Sequence, residues 1–362
     1  MGQEALDLPK TMKAAVMRKT FEIEMEERPV PEISGDEVLV KVMAVGICGS
    51  DIHYYEHGRI GPYVVEKPII LGHECAGIVV EVGERVEGLK PGDRVAIEPG
   101  ITCGVCRFCK SGRYNLCPHV QFLATPPVDG AFVQYIKHRA DFLYRIPDSL
   151  SFEAAALNEP LSVGIHAANR AQLKAGETVA IIGMGPVGLM AVVAAKAYGA
   201  SKIFVSDLEP NRLKAARELG ATHAILARDV DVAKEIRRLN DNRGVDVAFE
   251  TAGHPIALKT AMSVLDRGGR LSIVGLPPQD EIALNIPAIA DNEIDIYGIF
   301  RYANTYPKGI SILSSGLSNV DVMITDRYPL EQTKEAMERA RTNKSGSLKV
   351  VVYPNGLPES SQ

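Results

Sequence analysis

The sequence predicts an α/β protein of two domains, one mostly β and one built on a doubly wound parallel sheet. In the N-terminal part, short strand-like runs such as AGIVVEVG and GDRVAIEPG alternate with Gly and Pro turns, which is typical of an all-β domain. From residue 178 onward, apolar strand-like runs alternate with helical segments, which indicates parallel strands joined by crossover helices. The length of 362 residues is sufficient for two domains.

Six apolar runs are predicted to form the parallel sheet. They are TVAII, KIFVSD, HAILA (223–227), VDVAFETAG (245–253), GRLSIVGL (269–276) and EIDIYG (293–298). A helix between the second and third runs is predicted to open at Glu209-Pro210 and to stop at Gly220. After residue 298 we expect the chain to return to the β domain, because the strand-like SLKVVVYP follows the helical PLEQTKEAMERA.

The composition excludes several classes of partner. The chain is 46% hydrophobic and 23% charged with a net charge of −5, so it has no basic field for nucleic acid or anionic lipid. The N-terminal MGQEALDLPKTMKAAV lacks a basic-then-apolar signal pattern. The longest apolar stretch, 179–195, is interrupted by Gly and Pro, which favours a strand, a turn and a helix over a membrane span. We therefore expect a cytoplasmic protein with no nucleic-acid or membrane partner.

Four of the six cysteines fall in one loop, CGVCRFCKSGRYNLC. In a reducing compartment, clustered thiols more often hold a metal than form disulfides. Four thiolates suit tetrahedral zinc with no position open to substrate, so the loop predicts a structural zinc site. Two disulfides or solvated cysteines are the alternative. The predicted ligands are Cys103, Cys106, Cys109 and Cys117.

The other two cysteines lie near a second candidate metal site. Cys48 follows the strand-like EVLVKVMAV, and Cys75 directly follows His73 and Glu74 in GHECAG. A catalytic zinc keeps three protein ligands and one exchangeable position. Cys48, His73 and Glu74 supply a thiolate, an imidazole and a carboxylate, whereas Cys75 is interpreted as a small buried apolar residue.

The segment GMGPVG predicts a dinucleotide site, because it follows a strand and opens an Ala-rich helix. Its glycines let the backbone approach a pyrophosphate, whose charge the helix N-terminus favours. Asp207 ends the next strand, where a carboxylate binds an adenosine ribose and would repel a 2′-phosphate, so NAD is favoured over NADP. Arg212 is a helix-surface cation or an adenine-side contact. The candidate residues in the turn are Gly183, Gly185, Val187 and Gly188.

With these motifs in place, the sequence resembles the zinc-dependent medium-chain dehydrogenases, and within them the sorbitol (L-iditol) dehydrogenase branch. The resemblance covers almost the whole chain and is carried by GICGSDIHYYEHGRIG, LGHECAG, the four-cysteine loop, NEPLSVGIHA, GMGPVG with VSDLE, and IFRYANTYP. It implies a GroES-like catalytic domain formed by 1–160 and 298–362, with a structural zinc lobe at about 98–118 and a Rossmann NAD-binding domain at 161–297 between the two parts.

The resemblance also implies residue roles. Glu159 would bind the catalytic zinc directly or through its water, since no cysteine follows Cys117, and it could accept the proton. Ser50 and His53 match the branch's proton relay, although His53 could be a plain surface residue. The implied substrate contacts are Tyr54, Glu159, Arg301 and Tyr302, and the further implied cofactor contacts are Val274, Gly275, Leu276, Ile299, Phe300 and Arg301.

The implied activity is NAD-dependent oxidation of a secondary alcohol of a polyol, sorbitol to fructose and also xylitol, with two zinc ions per chain. An Arg, two Tyr hydroxyls and Glu159 offer more hydrogen bonds than a simple alcohol can satisfy; Arg301 could instead be a domain-interface cation contacting the cofactor. The alternatives are L-arabinitol, threonine or butanediol dehydrogenase, or a non-catalytic nucleotide-binding protein on the same fold. The branch implies a homotetramer.

Overall fold

The computed structural model describes residues 8–277, 279–342 and 346–358. Contacts divide the chain into two compact units. One runs to Glu159 and resumes at Ile324, and the other is Pro160–Met323. Both ends of the chain therefore belong to one unit, with the second unit inserted between them.

Most strands of the described residues lie in the first unit. In chain order they are β1 Thr11–Lys19, β2 Glu22–Pro29, β3 Glu37–Gly46, β4 Arg59–Ile60, β5 Tyr63–Val64, β6 Ile69–Ile70, β7 Glu74–Val82, β8 Arg94–Ile97, β9 Gly100–Ile101, β10 Gln121–Phe122, β11 Tyr135–Arg139, β12 Leu143–Arg145, β13 Thr178–Ile182, β14 Lys202–Asp207, β15 His223–Leu226, β16 Val245–Glu250, β17 Leu265–Ile273, β18 Asp295–Gly298, β19 Ile324–Pro329 and β20 Lys349–Tyr353.

The helices of the described residues are concentrated in the second unit. They are α1 Gly49–His57, α2 Arg107–Lys110, α3 Phe152–Ala156, α4 Asn158–Arg170, α5 Pro186–Ala197, α6 Pro210–Leu219, α7 Val232–Leu239, α8 Pro255–Ser263, α9 Ile286–Asp291, α10 Tyr306–Ser314 and α11 Thr333–Thr342, with 3-10 turns at Tyr114–Leu116, Ala140–Phe142, Val320–Met323 and Leu330–Gln332. None of them is both long and apolar enough to cross a membrane.

The main sheet of the first unit has the strand order β12-β8-β7-β3-β20-β19, with β11 also paired to β3. Strand β3 is the element around which the site is built. It pairs antiparallel with β7 on one side and with the C-terminal strand β20 on the other, so that Gly46 lies opposite both Glu74 and Val351. The buried side chains of these strands belong to one apolar cluster, which fixes their register.

The second unit has a six-stranded sheet of order β15-β14-β13-β16-β17-β18. All its strand pairs are parallel, and the order is that of a doubly wound dinucleotide-binding fold. The helix predicted at Glu209-Pro210 is α6, which Gly220 ends as its C-cap. The predicted α/β class is confirmed, a mostly-β unit and a doubly wound parallel sheet.

The structure corrects the predicted point at which the chain leaves the second unit. We expected residues 298–323 in the catalytic domain, but they belong to the second unit. The physical reason is a set of contacts that this segment makes with the helices of that unit. Ser318 donates to the carbonyl of Leu219 at 2.8 Å, and Lys196 donates to that of Leu317 at 2.6 Å. The return therefore comes at Ile324.

Candidate active site

Cys48 lies where β3 gives way to α1, and the main-chain geometry of that junction positions its thiol. Cys48 is the N-cap of α1 in extended backbone conformation, and its N–H donates to Oδ2 of Asp51 at 2.9 Å. Strand β7 begins beside this junction with Glu74, and His73 precedes it. As a result, one ligand atom each of Cys48, His73 and Glu74 lies within 4.8 Å of the others.

Asp51 contacts two of the three residues, Cys48 and His73, and sequence reasoning missed it. Its carboxylate is fully buried; Oδ1 accepts the N–H of Gly72 at 3.0 Å and lies 3.4 Å from Nδ1 of His73. Burial opposes its ionisation, but the His73 ring and the two backbone N–H groups hold the pKa of Asp51 below its ordinary value. A carboxylate on Nδ1 orients the ring and leaves Nε2 for a metal. The sequence feature that could have identified Asp51 is an acidic residue at the third position of a helix, in GICGSD.

The three side chains fit a catalytic zinc site. Ligand atoms bonded to zinc at about 2.0–2.3 Å lie roughly 3.3–3.8 Å apart in a tetrahedron, so atoms within 4.8 Å need only small movements. His73 and Glu74 are buried, while Cys48 is half-buried, so the group is partly shielded from solvent. Three ligands leave the fourth position for an exchangeable oxygen.

Glu74 also contacts a buried cation, Lys349 of β20. The ammonium Nζ is in ion-pair contact with Oε2 of Glu74, and both side chains are about 1% exposed. The same Nζ donates to the carbonyl of Ile47 at 2.9 Å. Lys349 therefore contacts one predicted ligand and the residue that precedes another.

The remaining predicted residues of the first unit differ in burial. Glu159 is 6% exposed in the first turn of α4; it is not one of the three residues within 4.8 Å. Ser50 is half-buried and His53 exposed, three residues apart and so on one face of α1; the His53 ring packs edgewise against that of His57. Tyr54 is 4% exposed.

Cys75 is a small buried residue, as the sequence predicted. It is 2% exposed, and burial raises the pKa of its thiol to about 12, with the neighbouring Glu159 and Glu74 carboxylates contributing in the same direction. A thiol with that pKa stays protonated at neutral pH and is a poor nucleophile and metal ligand. It packs in the apolar cluster of the first unit.

The four cysteines of the loop converge as predicted. The Sγ–Sγ distances are 3.9 Å for Cys103–Cys109, 3.5 Å for Cys106–Cys109 and 3.5 Å for Cys103–Cys117. Sulfur ligands bonded at about 2.3 Å lie about 3.8 Å apart in a tetrahedron, so the spacing fits one zinc ion, and all four thiols are free. Backbone N–H groups of Val105 and Cys106 lower the pKa of the Cys103 thiol to about 6, which favours the thiolate that a metal requires.

The glycine-rich turn of the second unit connects β13 to α5. A Cβ at Gly183 would lie 2.7 Å from that of Ala252, and one at Gly188 would collide with the Gly183 carbonyl, whereas Gly185, the N-cap of α5, has open space at that position. Packing therefore excludes larger residues at 183 and 188, and a ligand can approach the backbone at Gly185. Val187 lies in the first turn of α5.

Asp207 ends β14 beside this turn, and its carboxylate is held on both sides. Oδ2 accepts the N–H of Met184 at 2.6 Å, and Oδ1 accepts that of Glu209 at 2.9 Å. The side chain of Arg212 lies 3.8 Å from Oδ2, and the carboxylate is largely buried. The backbone thus fixes Asp207 at the edge of the sheet where doubly wound folds bind the adenosine ribose.

The other predicted cofactor and substrate residues of the second unit follow its last two strands. Val274 and Gly275 donate their N–H groups to the carbonyl of Glu250, and Leu276 after them is exposed. Ile299 donates to the carbonyl of Ile273. The three residues that come next are Phe300, which is exposed, Arg301, whose guanidinium lies over the Phe300 ring, and Tyr302, which is buried.

Two family descriptions match the chain. "Alcohol dehydrogenase GroES-like domain" matches residues 34–148, and "Zinc-binding dehydrogenase" matches residues 186–315. The first range contains both groups of potential metal ligands that the structure brings together. The second contains the N-terminus of α5 and the strands that follow it.

Full-length relatives agree with these matches. The chain is 66% identical to the sorbitol dehydrogenase of Bacillus subtilis (strain 168) over 96% of this chain and 99% of the relative. It is 46% identical to the sorbitol dehydrogenase of Rattus norvegicus over 91% and 92%. A solved Escherichia coli structure, of an oxidoreductase/dehydrogenase of unknown specificity involved in membrane biogenesis, is 41% identical with a TM-score of 0.91 over 95% and 99%. The chain belongs to the zinc-dependent medium-chain dehydrogenases, in the sorbitol dehydrogenase branch.

Proposed function

We propose that this enzyme oxidises sorbitol at C2 to fructose with NAD, and that xylitol is a similar substrate. The observation that carries the proposal is the convergence of one thiolate, one imidazole and one carboxylate within 4.8 Å, from Cys48, His73 and Glu74. A site with a single thiolate is harder than one with two and better suited to oxygen ligands. Its fit to a substrate with neighbouring hydroxyls is supported by the likeness to sorbitol dehydrogenases.

The protein's own residues prepare this site for proton removal. A zinc ion held by Cys48, His73 and Glu74 would supply the Lewis acidity that lowers the pKa of a substrate hydroxyl. Asp51 fixes the orientation of His73. The position of Glu159 outside the three-residue group supports a role through an intervening water, from which its carboxylate can take a proton. Ser50 and His53, on one face of α1, offer a route for that proton to solvent.

Asp207 decides the choice between NAD and NADP. The family binds zinc and a nicotinamide cofactor, and the nicotinamide ring accepts the hydride. Asp207 is held by two backbone N–H groups and cannot turn away from a 2′-phosphate without breaking them. Like-charge contact would therefore penalise NADP. We assign NAD, bound by the glycine-rich turn, by Asp207 and by the segments that follow β17 and β18.

Substrate recognition is assigned to a set of polar side chains. Arg301, Tyr302 and Tyr54 carry hydrogen-bonding groups that a linear polyol, with a hydroxyl on every carbon, can satisfy. A substrate that left such groups unpaired would be rejected by a large factor. The backbone at Arg301 is left-handed, with φ at +51°, a conformation that costs a non-glycine residue of order 1 kcal/mol and is often found at functional sites.

Two further assignments rest on the likeness to the branch. We propose two zinc ions per chain, one catalytic and one held by Cys103, Cys106, Cys109 and Cys117. The sulfur spacing of the loop supports the second ion. We also propose that the enzyme works in the cytoplasm as a homotetramer.

The decisive experiment is a substrate panel with zinc measured on the same sample. NADH formation is followed with sorbitol, xylitol, L-arabinitol, threonine and 2,3-butanediol. We expect the highest kcat/KM with sorbitol, xylitol close to it, and two zinc ions per chain. A higher kcat/KM for threonine or 2,3-butanediol than for every polyol would contradict the substrate assignment, and no turnover with any of the five would contradict the enzymatic one.

A further inference from the structure

Lys349 is a buried cation at the edge of the proposed catalytic zinc site. It opens β20, the strand from the C-terminal end of the chain that pairs with β3, and its side chain is 1% exposed. A lysine is almost never buried to this extent without a partner, because removing its charge from water is costly. The structure supplies one anionic partner, Glu74, whose Oε2 accepts from no other described residue.

The same ammonium group also reaches the main chain beside Cys48. Its Nζ donates to the carbonyl of Ile47 at 2.9 Å, and the N–H of Ile47 donates to the carbonyl of Val350, the neighbour of Lys349, at 2.9 Å. The backbone that leads into Cys48 is therefore fixed from both sides by β20. One side chain thus contacts two of the three predicted ligands, one directly and one through the preceding residue.

The packing at Gly46 indicates that this arrangement is built into the sheet. A Cβ at residue 46 would lie 2.7 Å from Cε of Lys349 and closer still to Oε2 of Glu74. The two side chains thus occupy the space above Gly46, where every other amino acid would place an atom. The ion pair needs this glycine, and the backbone of Gly46 itself is not in a left-handed conformation.

We propose that Lys349 is a positioning residue for the catalytic zinc. It holds Oε2 of Glu74, so that Oε1 remains for the metal, and it fixes the main chain in front of Cys48. A carboxylate that is held at one oxygen binds a metal through the other without losing rotational freedom at that moment, which raises the affinity of the site. This inference rests on the zinc site of the proposed function, and it assigns no proton transfer to Lys349.

The test is the zinc affinity of Lys349→Met, which keeps an unbranched apolar side chain of similar size and removes the ammonium group. Affinities are measured by competition with a chelator, and the zinc of the four-cysteine loop is the internal reference. Loss of an outer-shell partner typically weakens metal binding by about 10–100-fold. We expect that loss at the catalytic site only, and a smaller loss when Lys349→Met is added to Glu74→Gln, because the charge pair with Glu74 is then already removed and the contact with the Ile47 carbonyl remains.

A second pair of variants keeps the test decisive if Lys349→Met fails to fold. Gly46→Ala displaces only the ends of two flexible side chains, so we expect a folded protein with weaker zinc binding at the catalytic site. Gly49→Ala is the matched control, since a Cβ there meets no atom within 4 Å, and it should keep the affinity of the unmodified enzyme.

Three results would overturn the role of Lys349. They are unchanged zinc affinity in folded Lys349→Met, an equal loss in the Glu74→Gln background, and unchanged affinity in Gly46→Ala. A different result, in which Cys48→Ser keeps both zinc ions of the unmodified enzyme, would refute the proposed catalytic zinc site and this inference with it.

Discussion

Glu98 is the buried carboxyl group whose titration has the clearest consequence for stability. It lies just after β8, 2% exposed, and accepts hydrogen bonds from the Tyr114 hydroxyl at 2.8 Å and the Tyr144 hydroxyl at 2.9 Å. Burial raises the pKa of Glu98 from 4.5 to about 7; the two tyrosine hydroxyls oppose this, and the nearby Asp141 and Glu159 carboxylates add to it. Since Tyr114 lies in the four-cysteine loop, Glu98 ties that loop to the main sheet.

The raised pKa makes the protonated form of Glu98 the stabilising one. Because the folded protein binds this proton more tightly than the unfolded chain, the contribution is present below pH 4.5 and is lost as the pH rises through about 7. A change of one in pKa corresponds to about 1.4 kcal/mol. Ionisation of Glu98 therefore lowers the free energy of unfolding by about 3 kcal/mol. Buried His138, whose Nε2 lies 2.8 Å from the Glu98 carbonyl, has a pKa lowered to about 4 by its own burial, which produces the opposite slope.

The perturbation is therefore Glu98→Gln, compared with the unmodified enzyme at each pH so that the His138 contribution cancels. Glutamine keeps a hydrogen-bonding side chain of the same length but has no proton to lose. We expect the free energy of unfolding of the variant, relative to the unmodified enzyme, to rise by about 3 kcal/mol between pH 4.5 and pH 8. Denaturant unfolding at fixed zinc measures it. A difference that stays constant within about 1 kcal/mol over this range would refute the reasoning, as would an infrared carboxylic-acid band of Glu98 that titrates near its ordinary pKa.

Three further predictions concern the proposed site. Cys48→Ser should abolish turnover and leave the fold largely intact, whereas Cys106→Ser should mainly lower the thermal stability, because structural zinc contributes folding free energy. Zinc content, turnover and calorimetry on both variants separate the two roles. Equal effects of the two variants on turnover and on thermal stability would contradict them. Activity with NAD should exceed that with NADP by at least about tenfold, which corresponds to about 1.4 kcal/mol. Asp207→Ser should lower the ratio of kcat/KM with NAD to kcat/KM with NADP. Equal use of both cofactors by the unmodified enzyme would refute the assignment of NAD. Arg301→Ala should raise the KM for sorbitol by at least about tenfold with unchanged zinc content, and an unchanged KM would remove Arg301 from the substrate contacts.

The parts of the molecule that the sequence predicted are those encoded by local spacing. The four cysteines of the loop fall within one short segment, CGVCRFCKSGRYNLC, so a few turns are enough to bring their thiols together. The GMGPVG turn joins a strand directly to a helix, and its surroundings follow from the rules of parallel sheets. His73 and Glu74 are neighbours in the chain, and Cys48 follows a recognisable strand, so the chemistry of their side chains is sufficient to group the three.

The parts that the sequence did not predict depend on contacts between distant segments. Lys349 lies 302 residues from Ile47, whose carbonyl accepts a hydrogen bond from its ammonium group. From the sequence, a lysine at the start of SLKVVVYP resembles the solvated end of a strand. Glu98 meets tyrosines 16 and 46 residues away, and its burial depends on both. The boundary near residue 298 was misplaced because the hydrogen bonds that hold 298–323 to the second unit are made with helices earlier in the chain.

The negative charges around the proposed metal site explain why Lys349 can be fully buried. Cys48 as a thiolate, Asp51 and Glu74 carry three negative charges, and they lie within contact distance of one another or of His73. A His73 ring that binds a metal is neutral, so a divalent ion alone would leave one of these three negative charges without a partner in a buried site, which is unfavourable. The ammonium of Lys349 supplies the missing positive charge, in direct contact with Glu74. A zinc ion held by Cys48, His73 and Glu74 and the ammonium of Lys349 would together neutralise the charges of Cys48, Asp51 and Glu74. The C-terminal strand thus contributes to the charge balance of a proposed site whose three predicted ligands lie near the other end of the chain.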